Sequence, residues 1–213
     1  MFVGHLAVAF GAKRLDPRVP LGSAVAAAFG LDLLWPILLL LGAESVRVQP
    51  GDTAFTSLSF VSYPWSHSLL TAAVWSGFVV VVGWRLYGSG WVAAVLGSVV
   101  FSHWVLDAVT HRPDLPVWPA GPVVGLGLWN SILGTIVVEG GLLVAGLWLY
   151  LTSSRSRDRI GRWALVALVA FSSLLWISQP WSPPPPSEQA VAWGSLILWL
   201  LPPWARWIER HRA

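Results

Sequence analysis

The 213-residue chain contains no cysteine. This absence excludes a disulfide framework, a thiolate metal site and a cysteine nucleophile, so any metal ion must be held by nitrogen and oxygen ligands. Charged residues are also scarce, because Asp, Glu, Lys and Arg together make up 11% of the chain, against roughly 25% in soluble domains. Such a composition excludes an ordinary soluble domain.

Apolar residues dominate instead, at 55% of the chain with 16 tryptophans, and the mean hydropathy is +0.66. Six apolar stretches approach the length of about 20 residues that crosses a bilayer. They cover residues 21–42, 67–87, 91–111, 128–151, 160–178 and 189–205. The apolar stretch 2–12 is too short to cross, and its basic residues follow it, whereas a secretory signal carries them in front. The sequence predicts an all-α, polytopic membrane helical bundle of about six transmembrane helices plus a short, partly inserted N-terminal helix.

The distribution of basic residues predicts how the chain crosses the membrane. Six crossings place eleven of the 13 Lys and Arg residues on one side and leave only Arg47 and Arg112 on the other. By the positive-inside rule, we expect a multi-pass protein of the cell (cytoplasmic, inner) membrane with both charged termini in the cytoplasm. The scattered arginines are explained by topology and lipid headgroups, so nucleic-acid binding is not expected.

Several ionisable side chains fall inside these apolar stretches, where burial in lipid is costly and usually marks a function. They are His5, Asp32, His67, His103, Asp107, His111 and Glu139. Each has a simpler explanation when taken alone. A histidine can hydrogen-bond a neighbouring helix, and a protonated Asp or Glu can do the same. Together they predict a polar cluster at the outer side of the bundle.

Three of these residues follow one another on a single helix. His103, Asp107 and His111 are spaced i, i+4 and i+8, so their side chains share one face. His103 and Asp107 can therefore share a metal ion. His111 lies about 12 Å from His103 along the helix axis, which is too far for one ion, so we assign it to a second ion or to the substrate.

The stretches that carry these residues resemble a known family. Gly4-His5-Leu6, Leu31-Asp32-Leu33, Ser66-His67-Ser68-Leu69-Leu70 and Ser102-His103 through Asp107 to Thr110 are similar to motifs of the membrane-bound metal-dependent hydrolases. Members of that family are also described as LexA-binding, inner-membrane-associated hydrolases, and their metal-site pattern is similar to that of zinc-dependent phospholipases C. The resemblance covers about the first 120 residues. It departs at Leu34, where the family usually has a second aspartate, and at Ser66, where a threonine is common.

The resemblance implies a divalent metal site, and imidazole with carboxylate but no sulfur favours Zn²⁺. The expected ligands are His5, Asp32, His67, His103 and Asp107, with Glu139 as our own candidate for the missing oxygen ligand. Two further residues are expected to act in catalysis. His111 would donate a proton to the leaving group, and Arg112 would stabilise developing negative charge.

The sequence thus predicts a single integral membrane domain over residues 1–213, with metal-site helices in 1–152 and two further helices in 153–213. The expected activity is hydrolysis of a phosphoester or ester in a lipid or lipid-linked substrate, with the site open to the outer face. Two alternatives stay open. A small proton- or metal-coupled transporter or permease would use the same polar groups as a relay, and a non-catalytic scaffold would hold a structural metal.

Overall fold

A computed structural model describes residues 1–213, and most of the chain is helical. The α-helices are α1 (Val3–Leu15), α2 (Leu21–Ala28), α3 (Gly30–Leu40), α4 (Pro64–His67), α5 (Leu69–Tyr87), α6 (Gly90–Thr110), α7 (Ile132–Ser153), α8 (Arg159–Ile177), α9 (Glu188–Ser195) and α10 (Leu201–Arg210). Short 3-10 helices cover Leu128–Asn130, Gln179–Trp181 and Leu196–Leu200. The strands are β1 (Ser45–Val48), β2 (Leu58–Ser62), β3 (Leu115–Pro116) and β4 (Val123–Val124), paired antiparallel as β1–β2 and β3–β4.

Four helices, α5 to α8, are long and apolar enough to cross a membrane. The bent pair α2 and α3 brings the number to five if it counts as one span, with an angle of 52° between its halves. The outward faces of α5 and α7 expose large apolar side chains such as Phe78, Val81, Val144 and Trp148, as contact with lipid requires. The all-α expectation is therefore confirmed, and membrane association is supported.

The expectation of six spans is wrong, because the apolar stretch 189–205 does not form one helix. It is divided among α9, the 3-10 helix Leu196–Leu200 and α10. Pro202 and Pro203 have no backbone N–H to donate to the carbonyls of Leu198 and Trp199, so an α-helix cannot run through this point. Instead, α9 packs on α3, and α10 packs on α2 and α8.

The N-terminal helix α1 lies in the middle of the bundle. It packs against α7, α2 and α6, and most of its side chains are buried. Gly146 of α7 makes this packing close, since a Cβ at that position would lie 2.4 Å from the carbonyl oxygen of Ala7. The segment predicted as partly inserted is thus a core helix, which carries His5 into the interior.

Side-chain caps begin the long helices where the sequence has Ser or Asp. Ser68, Ser89, Ser131 and Asp158 accept the backbone N–H three residues later, at the starts of α5, α6, α7 and α8. Such a cap typically contributes about 1 kcal/mol to helix stability. The caps therefore mark where α5, α6, α7 and α8 begin.

Most of the basic side chains gather at one end of the bundle, where α1, α5 and α7 end and α2 begins. There Lys13 donates to Glu209 at 2.5 Å, and the hydroxyls of Ser23 and Tyr87 lie 2.7 Å apart. We call this the basic end. At the opposite end the β1–β2 hairpin, the β3–β4 hairpin and α9 form a small apolar cluster with residues such as Trp35 and Leu115.

Candidate metal centre

Five polar side chains converge away from the basic end, each on a helix that the packing brings inward. His5 comes from α1, Asp32 from the first turn of α3, His67 from the end of α4, and His103 and Asp107 from α6. All are buried except Asp32, whose side chain is 21% exposed. They form two groups of possible ligands, His5 with His103 and Asp107, and Asp32 with His67 and His103. Ligand atoms within each group lie within 4.8 Å of one another, so these groups could hold a metal ion.

His103 connects the two groups. Its Nδ1 lies 2.7 Å from the carbonyl oxygen of Ala28, the last residue of α2, and a carbonyl can only accept, so Nδ1 carries a proton. In the neutral ring Nε2 therefore bears a lone pair. That atom is buried, makes no hydrogen bond, and lies 3.2 Å from Asp107 Oδ2 and 3.7 Å from Asp32 Oδ1. Because lone pairs repel, a proton or a cation must lie among these three atoms.

The spacing of the donor atoms fits a metal ion. His67 Nε2 lies 3.5 Å from Asp32 Oδ1 and 3.8 Å from Asp107 Oδ2, and the two corresponding distances from His103 are 3.7 and 3.2 Å. Ligand atoms at 2.0–2.1 Å from a tetrahedral Zn²⁺ are separated from one another by about 3.3 Å. Asp32, His67 and His103 thus have the donor types and the spacing of a group that could hold a metal ion, and Asp107 lies beside them as a member of the second group.

His5 approaches the same cluster from the other side of Asp107. Its Nε2 lies 3.1 Å from Asp107 Oδ1, and the amino group of Met1 donates to that same oxygen. His5 Nδ1 is buried and has no hydrogen-bond partner. The two carboxylate oxygens of Asp107 therefore face different histidines, so Asp107 joins the two groups.

Glu139 lies near the cluster but contacts other atoms. Its Oε2 accepts the backbone N–H of Phe2 at 2.7 Å, and Trp129 Nε1 donates to its Oε1 at 3.4 Å. Glu139 is in neither group of possible ligands. In the structure this carboxylate holds the beginning of α1 and so helps to position His5.

His111 and Arg112 lie beyond the end of α6, in a separate network. His111 Nδ1 donates to Asp114 Oδ1 at 3.0 Å, and Tyr63 donates to the same oxygen at 2.9 Å. The Arg112 guanidinium contacts Asp52 at 2.7 Å, Asp114 at 3.1 Å and Ser59 at 3.1 Å. Arg112 thus anchors the β1–β2 hairpin to the end of α6.

Burial and hydrogen bonding determine the protonation of this network. Burial lowers the pKa of His111, although the hydrogen bond with Asp114 opposes the shift. Burial also acts to raise the pKa of Asp114, but hydrogen bonds from His111, Tyr63 and Arg112 outweigh it and lower that pKa. Burial and the neighbouring Asp114 carboxyl hold the pKa of Tyr63 well above its usual value. Near neutral pH the network consists of a neutral imidazole, a carboxylate and a phenol.

A cavity of about 460 Å³ opens onto the possible metal ligands and onto the His111 network. Its lining includes Asp32, His67, Asp107 and His111, whereas His5 and His103 lie behind them. Most of the remaining lining is apolar, and it includes Trp35, Leu58, Phe60, Trp129, Val191, Ile197 and Leu198. No Lys or Arg lines the cavity. Its size suits a small ligand or part of a chain molecule.

Two contacts important to this geometry were not predicted from the sequence. Ser66 bonds the ring of His67, and Glu44 bonds Ser66, both inside the protein. Ser66 could have been suggested by its position beside His67. Nothing in the sequence connects Glu44 to a residue 22 positions away, because the contact depends on the turn after α3.

Comparison of the chain with protein-family models, with curated proteins and with solved structures finds no match. The family resemblance therefore stays a prediction based on the motifs.

Proposed function

We propose that this protein is a membrane-embedded, metal-dependent hydrolase that acts on a phosphoester or ester in a lipid or lipid-linked substrate. The observation that carries the proposal is a buried His and Asp cluster at the wall of a cavity with largely apolar lining. The motif resemblance to membrane-bound metal-dependent hydrolases points the same way.

In this proposal metal is held by the two groups of ligands that share His103, one with Asp32 and His67 and the other with His5 and Asp107. A divalent ion, for which Zn²⁺ is the natural candidate, would supply the Lewis acidity that activates water at neutral pH. Asp32 and Asp107 line the cavity, so a substrate can approach the ligand set from that side.

His111 is suited to proton transfer. Asp114 accepts the proton of His111 Nδ1, which leaves Nε2 as the nitrogen that can exchange a proton in the cavity. Phe60 and Trp129 pack on the ring and hold its orientation, with centroids 4.7 and 4.5 Å away. Arg112 stays our second catalytic candidate, although its three contacts direct the guanidinium toward Asp52, Asp114 and Ser59.

The cavity walls favour a substrate with an apolar part. Aromatic and aliphatic side chains surround the space next to the polar cluster. No Lys or Arg lines the cavity, so in this proposal the bound cation supplies positive charge that the side chains of the lining do not. On the orientation predicted from the basic residues, the cavity opens at the outer face, where lipid headgroups and chains are both within reach.

The transport alternative needs polar groups along a route between the two ends of the bundle. Between the cluster and the basic end, α1 and α6 instead present buried apolar residues such as Leu6, Phe10, Leu96 and Val99. This apolar layer favours a site with access from one side, as a hydrolase requires.

The test uses the purified full chain in detergent. We expect stoichiometric Zn²⁺ by elemental analysis, together with hydrolysis of long-chain chromogenic esters or phosphoesters that a chelator abolishes and Zn²⁺ restores. Glu209→Gln, a substitution at the basic end, serves as the control and should keep both properties. Absence of bound metal and of hydrolysis across the panel would overturn the proposal, and metal flux into proteoliposomes would favour the transporter.

A further inference from the structure

A buried carboxylate outside the ligand set contacts the cluster through one hydroxyl group. Glu44 lies in the turn between α3 and β1, is 4% exposed, and forms no ion pair with any basic side chain within 4.0 Å. Its Oε1 accepts the backbone N–H groups of Trp65 and Ser66, each at 2.8 Å, and its Oε2 accepts the hydroxyl of Ser66 at 2.6 Å. Glu44 thus satisfies two free backbone N–H groups in the first turn of α4, and its remaining contact is with the hydroxyl next to His67.

The hydrogen bonds of Ser66 have a defined direction. The hydroxyl has one proton, and it donates that proton to Glu44, because the carboxylate is an acceptor only. Ser66 Oγ therefore has lone pairs left for the ring of His67, whose Nδ1 lies 2.7 Å away. His67 Nδ1 must then be the protonated nitrogen.

This tautomer leaves the lone pair of His67 on Nε2, the atom that lies 3.5 Å from Asp32 Oδ1 and 3.8 Å from Asp107 Oδ2. A histidine ligates a metal ion with its unprotonated nitrogen, and the partner of the other nitrogen sets which one that is. His103 is oriented in the same way by the carbonyl of Ala28. His67 and His103 thus both direct Nε2 toward the cluster. Ser66 orients the first ring, and the carbonyl of Ala28 orients the second.

We propose that Glu44 is a positioning residue that acts through Ser66 to keep His67 in the form that binds a metal ion through Nε2. The proposal rests on the metal site of the proposed function, but the tautomer itself can be observed in the metal-free protein. Glu44 thus affects metal affinity through Ser66, although its carboxylate contacts none of the ligand atoms of the cluster.

Glu44→Gln is the decisive variant because it keeps the acceptor for Trp65 and Ser66 while changing one atom. The amide nitrogen of Gln donates to Ser66 Oγ, so the hydroxyl proton turns toward His67 Nδ1 and the ring proton moves to Nε2. We expect Zn²⁺ affinity to fall about 10- to 100-fold, the usual range for loss of such a partner. Ser66→Ala should also weaken binding, and Ser66→Thr, which keeps a hydroxyl, should restore it.

The experiment measures Zn²⁺ affinity of the purified full chain by competition with a chromogenic chelator, and the His67 tautomer by ¹⁵N NMR of the metal-free protein. Five histidines keep the spectrum tractable, and His67→Asn identifies the signal. Glu209→Gln is the matched control, since Glu209 also accepts a backbone N–H but lies at the basic end. The Zn²⁺ affinity and the His67 signal of the Glu209→Gln protein should equal those of the wild type.

Each result decides one point. A Glu44→Gln protein with wild-type affinity and an unchanged His67 spectrum would overturn the positioning role. If the wild type binds no Zn²⁺, the proposed function fails, whereas the spectrum still tests the link from Glu44 to His67. If Glu44→Gln does not fold, the Ser66→Ala and Ser66→Thr pair decides, and equal affinity in both would count against the proposal.

Discussion

The imidazole rings of His5 and His103 lie stacked, with their centroids 3.7 Å apart and an angle of 7° between their planes. His5 belongs to α1 and His103 to α6, so the stack joins the beginning of the chain to the helix that carries the His-x-x-x-Asp motif. Each Nε2 also faces one oxygen of Asp107, at 3.1 and 3.2 Å. The N-terminal helix is therefore part of the candidate metal centre.

Removing a central ligand should remove the metal. His103→Ala deletes the atom common to both ligand groups, and Asp107→Ala deletes the carboxylate between the histidines. We expect both proteins to insert and fold but to purify with less than a tenth of the wild-type metal, as measured by elemental analysis. His211→Ala, at the basic end, is the control. Equal metal content in all four proteins would contradict the ligand assignment.

Replacing His111 should slow the reaction while leaving metal content unchanged. Asn cannot exchange a proton as His111 does, and proton transfer by a side chain typically contributes about 100-fold or more to the rate. We expect kcat to fall by about that factor in His111→Asn, measured together with metal content. A parallel loss of metal would instead show that His111 acts as a ligand.

Filling the cavity should alter the choice of substrate. Ala190 lines the apolar side of the cavity, and Trp at this position would occupy the space proposed for a substrate chain. We expect Ala190→Trp to reduce the rate with long-chain esters at least tenfold more than the rate with short-chain esters. Gln189→Trp, on the neighbouring exposed position, is the control. Equal losses for both chain lengths would argue against an apolar chain in this cavity.

The contact between α1 and α7 should tolerate no side chain at Gly146. A Cβ there would lie 2.4 Å from the carbonyl oxygen and 2.6 Å from the Cα of Ala7, so the helices would have to separate. We expect Gly146→Ala to lower the free energy of unfolding by about 1–3 kcal/mol, as overpacking usually does. Gly141→Ala on the same helix meets nothing within 4 Å and should be neutral or slightly stabilising. Thermal unfolding in detergent compares the two, and similar melting temperatures would refute the packing argument.

The orientation can be tested directly because the chain has no cysteine of its own. Single cysteines at the exposed positions Arg157 and Ser182 lie on opposite sides of α8. By the positive-inside rule we expect a membrane-impermeant maleimide to label Ser182→Cys in intact cells, and Arg157→Cys only after lysis. The reverse pattern would place the metal centre on the cytoplasmic side.

The long helices were predictable because their signals are local. The stretch 91–111 corresponds to α6 at Gly90–Thr110, and 160–178 corresponds to α8 at Arg159–Ile177. A continuous apolar run makes a helix favourable in lipid, and a Ser or Asp side chain marks its first turn. The stretch 189–205 failed because its apolar average hid two prolines, which interrupt backbone hydrogen bonding however apolar their neighbours are.

The spacing of His103, Asp107 and His111 shows which contacts can be predicted from the geometry of a single helix. It predicted that the first two meet and that His111 stands apart, and in the structure His111 bonds Asp114 and Tyr63 instead of the cluster. Within one helix, sequence separation is a distance. Between helices, the number of residues between two positions does not give their distance. For this reason the sequence suggested Glu139 as a ligand and gave no reason to consider Glu44.

The amino-acid sequence by itself determined the helical, lipid-facing character of this protein and the supply of imidazole and carboxylate groups, since both follow from composition and local periodicity. Only the tertiary structure decided which of those groups meet. The bend between α2 and α3, the close approach of α1 to α7 and the turn that carries Glu44 depend on contacts between distant residues. Those contacts bring His5, Asp32, His67, His103 and Asp107 together as two groups of possible ligands that share His103.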